Sequence, residues 1–127
     1  MIQEDYVSFE TAKLLKEKGF DVNCYTHYSS DGQNVYYNYQ TPSDGINMPT
    51  LQMAIKWLRK KGFHIFVPLE IDYDEDERGN KWYHDAAYYP DIIRVSDGKT
   101  MYDDGSLYAE PEQAYEVAIK YCLENLI

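Results

Sequence analysis

The three histidines of the chain are the residues best suited to hold a metal ion or to carry protons. His27, His64 and His84 fall in three separate segments that the sequence predicts to be strands. An antiparallel sheet can bring distant strands side by side, so the three imidazoles could meet on one sheet face. None of them belongs to a spaced pair such as HxxxH, and no cysteine supports them. We keep a small enzyme or metal-binding protein built on these histidines as an alternative, and we expect no bound metal and no cofactor.

An acidic run over residues 72–77 begins with the alternating aspartates of a calcium-binding loop. In such a loop the sixth position is a glycine and the twelfth is a bidentate glutamate. Here those positions hold Glu77 and Tyr83. The sequence therefore predicts a solvent-exposed hairpin tip in place of a calcium site.

The sequence contains no motif typical of a catalytic centre. It lacks a glycine-rich phosphate loop and a GxSxG nucleophile motif, and no residues beside Cys24 or Cys122 would favour a thiolate. Carboxylates are numerous, but their number does not identify an acid and a base. We expect no catalytic residue, and a non-enzymatic protein is the favoured interpretation.

The composition is strongly acidic, with 22 acidic and 12 basic residues and a formal net charge of -10. A field of this sign repels phosphate backbones, so direct nucleic-acid binding is disfavoured. It also opposes a helix-turn-helix DNA reader at the start of the chain. The same charge fits an acidic DNA mimic that inhibits a host DNA-binding protein, which we keep as a second alternative. The only dense group of cations is Lys56, Arg59, Lys60 and Lys61.

The length and the cysteine content bound the class of protein. A chain of 127 residues can bury a core of its own, so residues 1–127 are interpreted as a single domain. Its two cysteines lie far apart in apolar surroundings, which is typical of buried thiols in a reducing compartment. The opening residues MIQEDYVSF do not resemble a signal peptide, and no apolar run reaches the ~20 residues of a membrane span. We expect a cytoplasmic protein that does not enter a membrane.

Three segments have the spacing and caps of amphipathic helices. The first begins after Ser8 and ends before Gly19, and the second begins after Thr50 and ends before Gly62. The third opens with Pro111, which is favoured in a first turn. The apolar stripes of the three helices are Phe9, Ala12 and Leu15; Leu51, Ala54, Ile55 and Leu58; and Ala114, Val117, Ala118, Tyr121, Cys122 and Leu123.

The segments between the helices show strand periodicity. The predicted strands are residues 22–29, 34–40, 63–71, 81–88 and a short one at 92–95. The first two form a hairpin around Asp31 and Gly32, and the apolar alternation from Phe63 to Ile71 makes the third the central strand. The predicted loops are residues 41–48, 72–80 and 96–108. The expected fold is α+β, with about three helices packed on one face of a mostly antiparallel sheet of about four strands.

Tyrosine is unusually frequent, with fourteen residues, many of them on predicted strands. Because neighbours on a strand point to opposite faces, Tyr36 and Tyr37 cannot share one core. Tyrosine is enriched at protein interfaces, where it offers a large contact area and a hydroxyl that water satisfies. We therefore name Tyr25, Tyr36 and Tyr83 as candidate partner-binding residues. The alternative is that cross-strand aromatic pairs only stabilise the sheet.

Three sequence blocks carry a resemblance to a known group of proteins. The blocks EDYVSFETAKLLKEKGFD, PTLQMAIKWLRKKGFHI and PEQAYEVAIKYCLENLI cover roughly 50 of the 127 residues. Together they resemble a family of small proteins encoded by phages and prophages of gut bacteria, for which no activity is established. The resemblance implies a shared fold, because the blocks are the helices and their caps, and it carries over no residue role.

The favoured function follows from the tyrosine content together with this resemblance. We expect a phage-associated accessory protein that binds a protein partner, either a different protein or a second copy of itself. The binding surface would be the tyrosine-rich sheet face or an exposed strand edge.

Overall fold

The computed structural model describes residues 5–37, 45–102 and 105–127. Within these ranges the chain forms an α+β fold of three helices and eight short strands. The elements in order are α1 (Phe9–Glu17), β1 (Thr26–Tyr28), β2 (Val35–Tyr37), β3 (Ile46–Asn47), α2 (Leu51–Lys60), β4 (Phe63–Phe66), β5 (Leu69–Glu75), β6 (Lys81–Tyr88), β7 (Asp91–Arg94), β8 (Thr100–Tyr102) and α3 (Pro111–Asn125).

The strands form three separate antiparallel sheets. Their strand orders are β2-β1-β3, β4-β7-β8 and β5-β6. The α+β class is therefore confirmed, whereas the packing of all helices on a single four-stranded sheet is wrong. None of the helices in the described part of the chain is long and apolar enough to cross a membrane.

The caps of the first two helices are formed by the residues that the sequence indicates. The side-chain oxygens of Ser8 and Thr50 each accept a hydrogen bond, at 3.2 Å, from the backbone N–H three residues later. At the other ends, Gly19 and Gly62 have φ angles of 95° and 103°, a region that glycine tolerates best. The predicted starts and ends of both helices are confirmed. These cap signals can be read from the sequence because they are local in the chain.

The hydrophobic core lies among the three helices, the strand β3 and the sheet of β4, β7 and β8. Its fully buried large side chains include Leu15, Leu58, Ile92 and Leu123. The predicted stripes of α1 and α2 are largely buried. On α3, Val117 and Tyr121 are only half-buried, and Ile119, which the prediction omitted, is fully buried.

The predicted continuous strand over residues 63–71 is wrong, because the chain leaves its sheet at Pro68. Proline has no N–H to donate to a ladder, so a strand interior is an unfavourable place for it. Before Pro68, β4 pairs with β7, and after it, β5 pairs with β6. The apolar alternation continues across this break, but its residues are buried before Pro68 and exposed after it. Ile65 is 2% exposed, whereas Leu69 is 48% exposed.

The remaining strand predictions succeed in part. The first hairpin is confirmed in a shorter form, since β1 pairs with β2 and residues 38–40 lie outside the described ranges. The strands at 81–88 and 92–95 are confirmed as β6 and β7. The predicted loops at 41–48 and 96–108 are wrong where they contain β3 and β8, while residues 41–44 and 103–104 lie outside the described ranges. Both strands are only two or three residues long and depend on pairing, β3 with the distant β1 and β8 with the preceding β7.

The turn between β1 and β2 packs directly on α1. Gly32 has a φ angle of 76°, and a Cβ added there would overlap the ring of Phe9. The ring of Phe9 also lies 5.5 Å, centroid to centroid, from that of Tyr28. The hydroxyl of Tyr28 donates a 2.7 Å hydrogen bond to the backbone carbonyl of Val7. These contacts join the first sheet to the helical layer.

Candidate functional site: an exposed two-stranded arm

The hairpin of β5 and β6, residues 69–88, contributes none of its described side chains to the hydrophobic core, and we call it the arm. In the described part of the chain, β5 pairs with no strand other than β6. Every residue of β5 is exposed. Seven residues at about 3.3 Å each give β5 a length of roughly 23 Å. The arm is thus a ribbon whose two faces both meet solvent.

The tip of the arm is closed by one aspartate. The Asp76 carboxylate accepts hydrogen bonds of 2.9 Å from the backbone N–H groups of Arg78 and Asn80. It also accepts a 3.0 Å bond from the side-chain amide of Asn80, which is the main cause of its lowered pKa. Gly79 completes the turn with a φ angle of 84°. An exposed tip was predicted correctly, but residues 72–75 belong to a strand and not to the connection.

The base of the arm is tied to the loop that precedes α3. The backbone groups of Tyr88 and Tyr108 exchange two hydrogen bonds, of 2.8 and 2.7 Å. A shallow cavity of about 380 Å³ lies beside this junction, and Leu69 and Leu107 are among its lining residues. Both leucines are about half exposed. The arm therefore has a fixed base, a fixed tip and an unsupported length between them.

Strand pairing sorts the side chains of the arm onto two different faces. Directly paired residues of an antiparallel ribbon share a face, and successive residues alternate. The apolar face carries Leu69, Ile71, Tyr73, Tyr83, Ala86 and Tyr88, and near the tip it also carries the pair Glu75 and Lys81. The acidic face carries Glu70, Asp72, Asp74 and Asp85, together with Trp82 and Ala87. A register shift leaves His84 as the extra residue of a bulge, which keeps Tyr83 opposite Tyr73.

The apolar face presents aromatic rings that are held in place but not covered. The rings of Tyr73 and Tyr83 lie 5.7 Å apart, and the Lys81 ammonium lies 4.8 Å from the centroid of the Tyr73 ring. Contacts of these two kinds are each worth about 0.5–1.5 kcal/mol at accessible sites. Tyr83 nevertheless remains 67% exposed. The rings of this face are therefore held by contacts within the arm itself.

The arm, and not its acidic face alone, concentrates the negative charge of the protein. Asp72 lies directly opposite Asp85, a like-charge arrangement that destabilises a strand pair. Seven acidic and two basic residues give the arm a formal charge of -5, half of the -10 of the whole chain. The arm therefore combines a row of carboxylates with a row of apolar side chains on opposite sides of one ribbon.

The three tyrosines named from the sequence occupy two separate sheets. Tyr25 directly precedes β1, Tyr36 lies on β2, and Tyr83 lies on the arm. All three are exposed, Tyr25 to 52%. Because they belong to different sheets, they do not share one sheet face. Of the three, only Tyr83 belongs to the two-faced ribbon.

The three histidines are also separated by the sheet topology. His27 is fully buried on β1, and His64 lies on β4 with its ring 5.7 Å from that of Phe66. His84 belongs to the arm. The prediction that they could meet on one sheet face is wrong, because each belongs to a different sheet. Among the described side chains, no group of three or more His, Cys, Asp or Glu residues is arranged to hold a metal.

Both cysteines are free and buried, as the sequence indicates. Burial raises the pKa of Cys24 to about 11 and that of Cys122 to about 12. A thiol with so high a pKa is protonated at neutral pH and is a weak nucleophile. The two cysteines are therefore part of the packed interior.

Sequence reasoning predicted the exposed tip of this hairpin but placed Leu69 and Ile71 on the central strand, and so missed the exposure of the arm. One signal was available, namely Pro68, which separates these residues from the buried strand before it. A second was the alternation of acids with apolar residues from Leu69 to Glu75. No family model, no curated protein and no solved structure matches the chain.

Proposed function

We propose that this is a phage-associated accessory protein of the cytoplasm that binds a protein partner through the arm and has no enzymatic activity of its own. One observation supports the binding surface above all. A two-stranded ribbon, exposed on both faces, keeps five large apolar side chains in water. These side chains are Leu69, Ile71, Tyr73, Trp82 and Tyr83.

The energetics of the ribbon favour this interpretation over a purely structural role. An isolated two-stranded hairpin is at best marginally stable in water, and the exposed part of each apolar side chain adds nothing to its folding. The same side chains would contribute much more if a partner covered them, at about 25 cal/mol for each Å² of apolar surface removed from water. Tyrosine and tryptophan are also the residue types that dominate binding hot spots. The composition of the arm thus suits an interface.

The acidic face supports a second candidate, an acidic inhibitor that imitates DNA. Glu70, Asp72 and Asp74 alternate along one strand, which places neighbouring carboxylates about 6.7 Å apart on a ribbon with fixed ends. A groove lined with lysine and arginine for phosphate contacts would also attract such a row. Competition between the protein and duplex DNA for a DNA-binding protein, lost as salt is raised, would support this candidate. No competition at low salt would remove it.

Site-specific photo-crosslinking tests the binding function. A benzoylphenylalanine probe replaces Tyr83 in one version of the protein and Tyr25 in the control version, and both are produced in the cells that naturally express it. These positions are 67% and 52% exposed, so general accessibility is nearly matched. We expect the probe at Tyr83, and not the probe at Tyr25, to join the protein to one specific partner.

Competition makes the crosslinking result specific to the arm. Unlabelled protein should abolish the crosslink, whereas unlabelled protein carrying Ile71→Ser and Trp82→Ser should not. Both substitutions lie at exposed positions, so the competitor is expected to remain folded. A partner captured only through Tyr25, or equal competition by the doubly substituted protein, would show that the arm is not the binding surface.

A further inference from the structure

We infer that the partner contributes a basic strand, which pairs with the outer edge of β5 and continues the ribbon as a third strand. This inference rests on the arm being the binding surface and adds the chemistry of the partner. The expected segment is extended, and its side chains alternate between lysine or arginine and apolar residues.

The hydrogen bonds at the ends of the ribbon show which backbone groups of β5 face outward. At the base, the Tyr89 N–H donates to the carbonyl of Pro68 at 3.3 Å. At the tip, the Asp76 N–H donates to the carbonyl of Asn80 at 3.0 Å. Hydrogen-bonded and non-hydrogen-bonded pairs alternate along an antiparallel ladder. Every second residue of β5, counted from either end, therefore directs its backbone groups away from β6.

The outward residues are Leu69, Ile71, Tyr73 and Glu75. The junction at the base agrees with this assignment, since Tyr88, the pairing partner of Leu69, directs both of its backbone groups away from β5 and toward Tyr108. An added strand would find a donor and an acceptor at each outward position, which is the geometry of β-augmentation. A strand edge of this length usually needs protection against chance pairing, by charged side chains, proline or a bulge. β5 contains neither lysine nor proline, and its charged residues are all acidic.

The two faces of the arm specify the side chains of the added strand. Its residues must alternate between the faces, because side chains of a sheet have a period of two. On one face they lie beside Ile71 and Tyr73, which favours apolar residues. On the other they lie beside Asp72 and Asp74, which favours lysine or arginine. Charge complementarity and the apolar row therefore select the same alternating sequence.

The same pattern disfavours a second copy of this chain at the β5 edge. In an antiparallel pairing of two β5 strands centred on Asp72, each Asp72 would face its counterpart and each Glu70 would face an Asp74. Like charges placed directly opposite destabilise a sheet. Each arm also carries a formal charge of -5, so the two ribbons repel each other as they approach. The acidic alternation thus protects the edge against self-pairing while leaving it open to a cationic strand.

Three synthetic peptides with blocked ends provide the probe for the purified protein. Each is about eight residues long, the length of a β-strand. The first alternates lysine and valine, the second has the same lysines and valines in two blocks, and the third alternates glutamate and valine. Isothermal titration measures affinity, and amide hydrogen exchange followed by NMR measures protection of the outward N–H groups of Leu69 and Ile71.

We expect the alternating lysine peptide to bind at least about tenfold more tightly than the block peptide, because only the alternating peptide can match both faces. It should protect the amides of Leu69 and Ile71 from exchange, and the glutamate peptide should not bind. The block peptide measures the general attraction of an acidic protein for any cationic chain. Equal affinity of the two lysine peptides, without amide protection, would overturn the inference.

Two sets of variants separate charge from backbone pairing. Asp72→Lys together with Asp74→Lys should transfer the preference to the glutamate peptide. The matched control, Glu17→Lys together with Glu124→Lys, makes the same change in net charge at exposed positions on the helices and should keep the preference for lysine.

The backbone test uses a single position of the edge. Ile71→Pro removes an outward N–H that the ladder with β6 does not use, so it should abolish peptide binding. Ile71→Thr keeps that N–H and should retain most of the binding. Amide spectra outside the arm verify that both variants are folded. Equal binding by both would overturn the assignment of the β5 edge.

The outcomes distinguish this inference from the proposed function. One outcome is that the two lysine peptides bind equally while the Tyr83 probe still captures a partner that unlabelled protein displaces. In that case the arm binds proteins, but not through a basic strand. If sedimentation shows a dimer whose Leu69 and Ile71 amides are protected, a second copy occupies the edge and the inference is wrong. If the crosslink at Tyr83 fails, the binding function itself is wrong, whatever the peptides do.

Discussion

Two isoleucines, one on each side of Pro68, allow the exposure of the arm to be tested as a difference in stability. Ile65 on β4 is 2% exposed and belongs to the core, whereas Ile71 on β5 is 45% exposed. The same substitution to alanine at each position removes the same atoms from two different environments. The change in the free energy of unfolding therefore measures how much each environment stabilises the fold.

The expected magnitudes differ by several-fold. Ile65→Ala removes buried methylene and methyl groups and leaves a cavity, which costs about 2–5 kcal/mol. Ile71 has nearly half of its surface in water, and its cross-strand neighbour is the small Ala86. Its substitution leaves no enclosed cavity, so its cost is limited to partial burial and strand propensity, at most about 1 kcal/mol. The difference between the two variants should be at least about 1 kcal/mol.

Urea unfolding followed by circular dichroism measures both free energies of unfolding. The comparison holds if the slope of this free energy against urea concentration is the same in the variants as in the unsubstituted protein. Ile71→Val is a suitable further control, because it keeps the β-branch and should change the free energy of unfolding very little. If Ile71→Ala costs as much as Ile65→Ala, the arm is packed against the rest of the protein. In that event its apolar residues would need no partner to explain them.

Three further predictions concern the rest of the fold. At Gly32 an alanine would need a positive φ and would also overlap the ring of Phe9, whereas at Gly98 the φ angle is 72° but the space around it is open. Thermal unfolding should therefore show a larger loss of stability for Gly32→Ala than for Gly98→Ala. The hydrogen bond from Arg94 lowers the pKa of Asp97 to about 2. The stability that this pair contributes is therefore fully present above the unfolded-state pKa of about 3.9 and is lost as the pH falls toward 2. In urea titrations, Asp97→Asn should make the free energy of unfolding depend less on pH in this range. Both cysteines, with pKa raised by burial, should resist iodoacetamide at about pH 8 in the native protein and react fully in denaturant, and rapid native labelling would contradict their burial.

The features that sequence alone predicted correctly are those encoded by a few adjacent residues. Ser8 and Thr50 cap helices by bonding to backbone groups three residues away, and Gly19 and Gly62 end them by adopting a positive φ. The hairpin tip at Asp76 is equally local, since its bonds reach only as far as Asn80. Such signals act within one turn of chain and do not depend on the rest of the fold.

The features that sequence missed depend on which strands meet in space. Ile65 and Ile71 belong to one uninterrupted apolar alternation, and the pattern does not state that the first faces a core and the second faces solvent. The strand β8 was also missed, because a three-residue strand exists only through its pairing with β7. Among the candidate site residues, Tyr83 was identified from composition, but its placement on a two-faced ribbon required the pairing of β5 with β6.

The arm contains two features that are each unfavourable for the isolated protein, and the partner strand that we infer would relieve both. Apolar side chains of β5 such as Ile71 and Tyr73 remain in water, where they contribute little to folding. Glu70 and Asp72 lie in one row on the acidic face of β5, where their like charges repel each other. An apolar partner would cover the first and leave the second, and a purely basic partner would do the reverse. A strand that alternates between the two chemistries satisfies both faces through the single edge that β5 leaves open.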